Sequence, residues 1–243
     1  MDTIISKFDS ISLEEMGGIR LMNRTDTKFV TSVDKLKALL LMAGNEYRVQ
    51  EIDGKRNMNY ATVYYDSSDY VFYNAHHNGH AGRQKVRVRS YVDSQLSFLE
   101  VKTKDNHGQT HKSRISATDL PAPEALDFLR RNVRIDPQLL ERKIENSFHR
   151  VTLVNRAKTE RLTIDTCLEF SNLSTGMQCS LPQIAIIELK RDGLKPSPIL
   201  AMLRELRIRQ SGFSKYCIGE ALTNPGLRLN RMKPRLQRLM KIS

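Results

Sequence analysis

Between positions 83 and 89 the chain reads Arg83, Gln84, Lys85, Val86, Arg87, Val88, Arg89, with a cation at every second position. Successive side chains of a strand point to opposite faces, so this segment projects its cations from one face and Val86 and Val88 from the other. The alternation recurs. Phe98, Glu100, Lys102 and Lys104 oppose Leu99 and Val101, and Arg161, Thr163 and Asp165 oppose Leu162 and Ile164. Ile184, Ile186, Glu188 and Lys190 share one parity; Thr110, Lys112 and Arg114 are in phase, as are Arg24, Asp26 and Lys28.

One such strand is an ordinary sheet with a wet face. Several together are not, because like charges about 8 Å apart repel by ~2 kcal/mol at an effective dielectric near 20. The acids in phase with these cations are few: Asp26, Glu100, Asp165 and Glu188. A face this basic calls for an anion. Eight strand-like segments are predicted, at 25–31, 57–66, 84–92, 96–103, 109–115, 148–155, 161–166 and 183–190, a number that suits a barrel. Helical periodicity is confined to 6–16, 33–42, 122–131, 198–206 and 215–222, with Ser32 and Ser197 as candidate caps. The expected fold is α+β: an eight-stranded antiparallel β-barrel tunnel with flanking helices, its lumen lined by Arg and Lys. Guanidinium forks match phosphate oxygens and lysines add mobile point charges, so successive phosphates of one chain suit such a lumen.

Composition narrows the classes. A net charge of +12 implies an anionic partner without naming it. No apolar run approaches the roughly 20 residues of a spanning helix, and no secretory leader is recognisable. Cys167, Cys179 and Cys217 form no CxxC pair, which suits a reducing cytoplasm. No GxxxxGK[ST] loop or GxSxG elbow occurs. His76, His77 and His80 lack a carboxylate at ligand spacing, and Asn78-Gly79 reads as a turn. Tyr60, Tyr64, Tyr65, Tyr70, Phe72 and Tyr73 read first as core. Nucleic acid is disfavoured, since Tyr91 is the only aromatic beside the basic stripe. The division expected is a tunnel domain over 1–223 and a basic tail over 224–243. The tail's Arg and Lys residues alternate with leucines, which reads as a frayed solvated end or as an amphipathic surface for a membrane or partner.

Seven motifs in order carry a resemblance: Arg-Thr-Asp-Thr-Lys-Phe at 24–29, Tyr-Tyr-Asp-Ser at 64–67, the Lys-Val-Arg-Val-Arg run ending at Arg89, Phe-Leu-Glu-Val-Lys at 98–102, Gly-Gln-Thr-His-Lys-Ser-Arg at 108–114, Ile-Glu-Leu-Lys at 187–190 and Phe-Ser-Lys-Tyr at 213–216. From about Arg20 to Gly219 the sequence resembles the VTC domain of polyphosphate polymerases, within the triphosphate tunnel metalloenzyme (CYTH-like) superfamily. The resemblance implies phosphate ligands at Lys28, Arg87, Arg89, Lys102 and Lys112, similar arginines at Arg150 and Arg161, further phosphate-binding cations at Arg114, Lys190 and Lys215, and a metal ligand at Glu188. Lys28, Arg87, Arg89, Lys102, Lys112 and Arg161 are the expected catalytic set.

It also implies ATP as phosphoryl donor, polyphosphate or pyrophosphate as acceptor, a divalent ion (Mn²⁺ or Mg²⁺) on Glu188 aided by Glu100 or Asp165, and a cytoplasmic chain that works beside a membrane-associated partner. Two places depart from the family. Gly212 stands where an upstream lysine can occur, and Arg24-x-Asp26-x-Lys28 replaces the Glu-x-Glu-x-Lys of hydrolytic relatives, favouring the holding of phosphates over activation of water. A metal-dependent triphosphate hydrolase and a non-catalytic polyphosphate-binding module are the competing readings.

Overall fold

The computed structural model describes residues 1–17, 24–106, 109–116, 122–193 and 195–242. Arg20, Gly108 and the side chain of Arg24, each part of a motif above, lie outside that set. Eleven strands form one sheet: β1 (Ser10–Ile11), β2 (Arg24–Ser32), β3 (Tyr47–Gln50), β4 (Asn57–Asp66), β5 (Gln84–Tyr91), β6 (Leu96–Lys104), β7 (Thr110–Ser116), β8 (Glu141–Asn155), β9 (Glu160–Asn172), β10 (Gln178–Leu181) and β11 (Ile184–Asp192). The main path runs β2-β11-β9-β8-β4-β5-β6-β7, antiparallel at every step. Its strands are the eight expected from alternation, with β8 and β9 longer than read. The end strands β2 and β7 do not pair, so the ladder stays open. The strap around Gln210 covers the free edge of β2, through a bridge from Phe29 to Gln210 and a hydrogen bond from Ser211 N to the Lys28 carbonyl (2.9 Å).

The helices are α1 (Asp2–Ile5), α2 (Leu13–Gly17), α3 (Val33–Ala43), α4 (Val71–His77), α5 (Pro123–Asn132), α6 (Pro198–Glu205), α7 (Lys215–Thr223) and α8 (Lys233–Met240). None among the described residues is long and apolar enough to cross a membrane. The predicted helix over 6–16 is instead two short helices around β1. The 9–11 backbone finds a pairing edge on β3, where Val49 N donates to the Asp9 carbonyl. Ser32 caps α3 by accepting from Lys35 N (3.3 Å); Ser197 precedes α6 but makes no side-chain cap.

Both apolar sheet faces foreseen by alternation are covered. Val151, Leu153, Leu162, Ile164, Ile187 and Leu189 pack beneath α1, α3 and α6. Val86, Val88, Leu99 and Val101 join a second cluster with α4, α5 and α7. The C-terminal stretch is not frayed: Met232 and Leu239 are buried in that cluster, and Tyr73 Oη donates to the Arg228 carbonyl (3.0 Å). At about 25 cal/mol per Å² these apolar contacts supply the main stabilisation of the layers.

Helix α7 packs against the sheet at Gly219. A Cβ there would sit 2.5 Å from Phe170 Cδ1 and 2.6 Å from Ile144 Cδ1. Gly219→Ala therefore forces two well-packed side chains off their rotamers, an overpacking cost of about 1–3 kcal/mol. Thermal denaturation checks it: a midpoint equal to that of the parent chain would show that α7 does not press on β8 and β9.

Candidate functional site

Register alone puts the cations on one surface, because residues directly opposite each other in neighbouring strands share a face. One row reads Tyr64, Arg87, Glu100, Arg114 across β4–β7, and the next reads Lys85, Lys102, Lys112. Across the other wall run Lys28, Glu188 and Thr163, then Asp26, Lys190 and Arg161, and Asp165 faces Arg150. The two walls then meet. Lys102 on β6 and Glu188 on β11 are five strands apart along the path, about 24 Å in a flat sheet at ~4.8 Å per strand. Yet the Glu188 charge acts on Lys102, and the Lys28 charge acts on Lys85 across an equal number of strands. The sheet is therefore curled around the charged face, with α7 supplying Lys215.

Within this lumen Glu100, Asp165 and Glu188 each hold two cations. Arg87 donates from Nε and Nη2 to Glu100 Oε2 (2.9 and 2.7 Å), and Lys112 pairs with the other oxygen. Arg150 forks onto Asp165 (2.6 and 2.8 Å), which Lys215 also meets. Glu188 pairs with Lys28 and receives Lys190 Nζ at 3.3 Å. Burial works to raise Glu100, but Arg87, Arg89 and Lys112 bring its carboxyl down to about 2. In Glu188 burial is likewise outweighed, by Lys190, Lys28 and Arg150, which hold it well below the usual carboxylate range.

Two cations, Arg89 and Lys102, make no ion pair among the described residues. Arg89 is 8% exposed, faces Phe98 across the ladder, and lies 5.8 Å from the Tyr60 ring centroid. Its side chain makes no hydrogen bond or ion pair among the described residues, and the same is true of Lys102. Burial, with Arg87 and Arg150, pulls Arg89 down to about 10. The Arg87 charge first, then burial and Arg89, hold Lys102 well below the ordinary ammonium range. An unpaired charge taken out of water costs several kcal/mol, so this end of the lumen is a standing demand for an anion.

All eleven residues singled out in the sequence lie on the curled face or at its α7 end, though not equally deep. Lys112 and Arg114, on edge strand β7, are more open to solvent; Arg114 stacks over Phe98 at 4.6 Å. Arg83, first of the alternating run, precedes β5 and turns out to the His80 carbonyl (2.7 Å). Several lumen residues were missing from the expected set. Lys85 donates to Ser214 Oγ (2.9 Å), and its place in the alternation was the signal for it. Tyr60 was read as core. It shares the parity of Thr62 and Tyr64, lies 5.0 Å from the Arg150 guanidinium and stacks on Phe148, whose ring carries Lys215 at 4.0 Å.

The donor set limits how a divalent ion can be held. No group of three His, Cys, Asp or Glu side chains gathers among the described residues. Glu100, Asp165 and Glu188 are each claimed by two cations, so these three alone form no metal cage. Glu188 fits as one carboxylate of an ion whose other ligands are phosphate oxygens and water, the usual arrangement for Mg²⁺ beside phosphates.

Solved structures of related shape include a putative adenylate cyclase from Vibrio parahaemolyticus (14% identical, TM-score 0.47, covering 82% of this chain and 99% of that one). Another is the PH1819 protein from Pyrococcus horikoshii (12%, 0.45, 82% and 98%). A third is a putative adenylyl cyclase from Hippeastrum described as having a dominant triphosphatase activity (13%, 0.44, 86% and 99%). No curated protein matches the chain. The model of the VTC domain matches residues 23–224, which spans β2 to the end of α7, and the chain belongs to the VTC domain family.

Proposed function

We propose that this protein is a polyphosphate polymerase, which transfers the terminal phosphoryl group of ATP to a growing polyphosphate chain inside the basic lumen. The observation that carries this is Arg89: a buried guanidinium that makes no ion pair or hydrogen bond among the described residues, in a face where cations outnumber carboxylates. A string of phosphates satisfies it, and pairs with Lys102 in the same stroke. Membership in the VTC family supports the same substrate class.

In this reading Arg87, Arg89, Lys102 and Arg161 clamp the transferred group, Lys28 and Lys112 hold the flanking phosphates, and Arg114, Arg150, Lys190 and Lys215 hold the chain. A terminal oxygen of the acceptor forms a bond to the γ-phosphorus, the bond to the β,γ-bridging oxygen breaks, and ADP leaves with that electron pair. The acceptor oxygen is already anionic at neutral pH, so no general base is needed. The side chains position the groups and neutralise the equatorial oxygens, which is most of what phosphoryl transfer requires. Enclosure limits competing attack by water. Glu188 would hold a divalent ion, which would supply further charge neutralisation. The reaction belongs in the cytoplasm, where ATP is plentiful and the three free cysteines stay reduced.

Incubation of the protein with ATP and Mn²⁺, followed by resolution of the products, tests the proposal. Long phosphate chains are expected. Orthophosphate as the sole product means a hydrolase on the same tunnel, and tight polyphosphate binding without turnover means a binding module.

The lumen also sets a pH dependence. Burial, with Arg87, Arg83 and Lys28, pulls Lys85 down to about 8, whereas in the unfolded chain a lysine stays near 10.4. Between those values the unfolded state binds the extra proton, so the ligand-free protein gains stability as pH rises through that window. Anion affinity moves the other way, falling up to about tenfold per pH unit above pH 8 as Lys85 loses its charge. Calorimetric titration with tripolyphosphate from pH 7 to 9 reads this slope. Lys85→Arg keeps the charge and flattens it relative to the parent chain; equal slopes in the two proteins would remove Lys85 from the site.

A further inference from the structure

A second basic site lies outside the lumen. The end of β2, the strap at 207–211 and the last turn of α8 enclose a cavity of about 490 Å³, and Lys35, Arg207, Arg209, Arg238 and Lys241 line it. No Asp or Glu does. In the lumen, by contrast, Glu100, Asp165 and Glu188 offset part of the charge. Two of the cavity cations are tethered by neutral groups: Lys35 Nζ donates to the Leu206 carbonyl (3.1 Å) and Arg238 Nη1 to Ser211 Oγ (3.3 Å). The side chains of Arg207, Arg209 and Lys241 make no hydrogen bond or ion pair among the described residues. The start of α3 opens on the same space through Thr31 and Ser32, adding the positive end of an eleven-residue helix.

We infer that this cavity is a second anion site, built for a compact ligand carrying several phosphoryl groups. Its volume falls within the range of small-molecule pockets. Three arginines offer the forked donors that phosphate oxygens accept. Its remaining wall is Val30, Ile208, Gln210 and Ile242, with no aromatic ring among the described residues on which a base could stack, and that argues against a nucleotide or a nucleic-acid strand. The ligand is therefore a phosphate-rich group without a base. Both a soluble molecule, such as a short polyphosphate or a phosphorylated polyol, and a phosphorylated lipid headgroup present that chemistry. The strap that walls the cavity is the one whose Ser211 N holds the Lys28 carbonyl, so occupancy there bears on the strand that carries a lumen cation.

This inference does not depend on the lumen's activity, and one titration separates the two. Tripolyphosphate is titrated into the full chain by calorimetry, alongside the double variant Arg209→Gln/Lys241→Gln and the lumen variant Lys112→Gln. Two classes of site are expected in the parent. The double variant loses one, weakened about tenfold or more because each lost charge-assisted hydrogen bond is worth that much. Its ligand-free melting temperature stays unchanged or rises, and Lys112→Gln weakens only the other class. Two classes that both persist in the double variant overturn the inference. A single class lost in that variant upholds the cavity and sinks the lumen reading; a single class kept there does the reverse. Flotation with vesicles of phosphatidylcholine, with and without a phosphorylated inositol lipid, identifies the source. Retention lost in the double variant marks a headgroup, and tripolyphosphate binding without retention marks a soluble ligand.

Discussion

Glu100→Gln is expected to lower the stability of the ligand-free protein by about 3–5 kcal/mol, the usual cost of breaking a buried ion pair from one side. The Glu100 side chain is fully buried, with Arg87 on one oxygen and Lys112 on the other. Neutralising it leaves those two beside Arg89 and Lys102, four cations that have lost their shared carboxylate, each pair repelling by ~2 kcal/mol at 8 Å and a dielectric near 20. In a chain of this size the loss reads as a fall of roughly 10 °C in melting temperature. Tripolyphosphate at a hundred times its dissociation constant returns about 2.7 kcal/mol, so most of the loss is recovered on adding it. A surface control, Glu15→Gln, breaks the exposed pair with Arg48 (3.4 Å), melts with the parent chain and gains nothing extra from the anion. If Glu100→Gln melts with the parent chain, the lumen cations are not crowded and the polyanion argument fails.

The strands and their charged face were legible because a period of two leaves no freedom: once Val86 and Val88 are committed to a core, Lys85, Arg87 and Arg89 must face the other way. Elements without that redundancy were not legible. Strands β1, β3 and β10 have two to four residues, too few to show a period. Helix α4 hides its start, since Tyr70 before it is left-handed (φ 59°) and offers no cap. The cap is Asp66, whose carboxylate accepts from Phe72 N (2.9 Å) and Tyr73 N (2.8 Å) across an intervening turn. Helix α8 was obscured by its own charge. Only its contacts reveal that Leu236 and Leu239, three apart, face the core while Lys233 and Gln237 are exposed.

The site was legible as a set of cations and illegible as a set of pairs. Parity says that Arg87 and Arg89 share a face with Glu100, but only the β5–β6 register decides that Arg87 meets the acid and Arg89 meets Phe98. Likewise Lys102 falls between Lys85 and Lys112, with no carboxylate in its row. Register is set by turns and by packing on the far face, and no local composition encodes it. Tyr60 packs on the core as expected, and its second place beside Arg89 and Arg150 was illegible for a related reason: tyrosine suits a core and a charged wall equally well, its ring meeting guanidinium by cation–π attraction.

That distinction between paired and unpaired cations makes the second prediction the sharper one. Arg89→Gln is expected to cut the rate of phosphoryl transfer by about a thousandfold or more, the range found where one arginine neutralises the transferred group. The same change leaves the ligand-free fold as stable as the parent or more so, because it removes an unpaired buried charge that Arg87 and Arg150 repel. Arg87→Gln, which breaks the pair with Glu100, loses both activity and stability. The two arginines are two positions apart on one strand and chemically alike, so opposite signs in their melting temperatures with a shared loss of turnover can arise only if one is spoken for and the other is held open. Initial rates of chain synthesis from ATP and Mn²⁺, with melting curves of the same preparations, give both readouts. If Arg89→Gln turns over within about threefold of the parent, or melts well below it, the guanidinium is a structural strut and the phosphate must be gripped elsewhere.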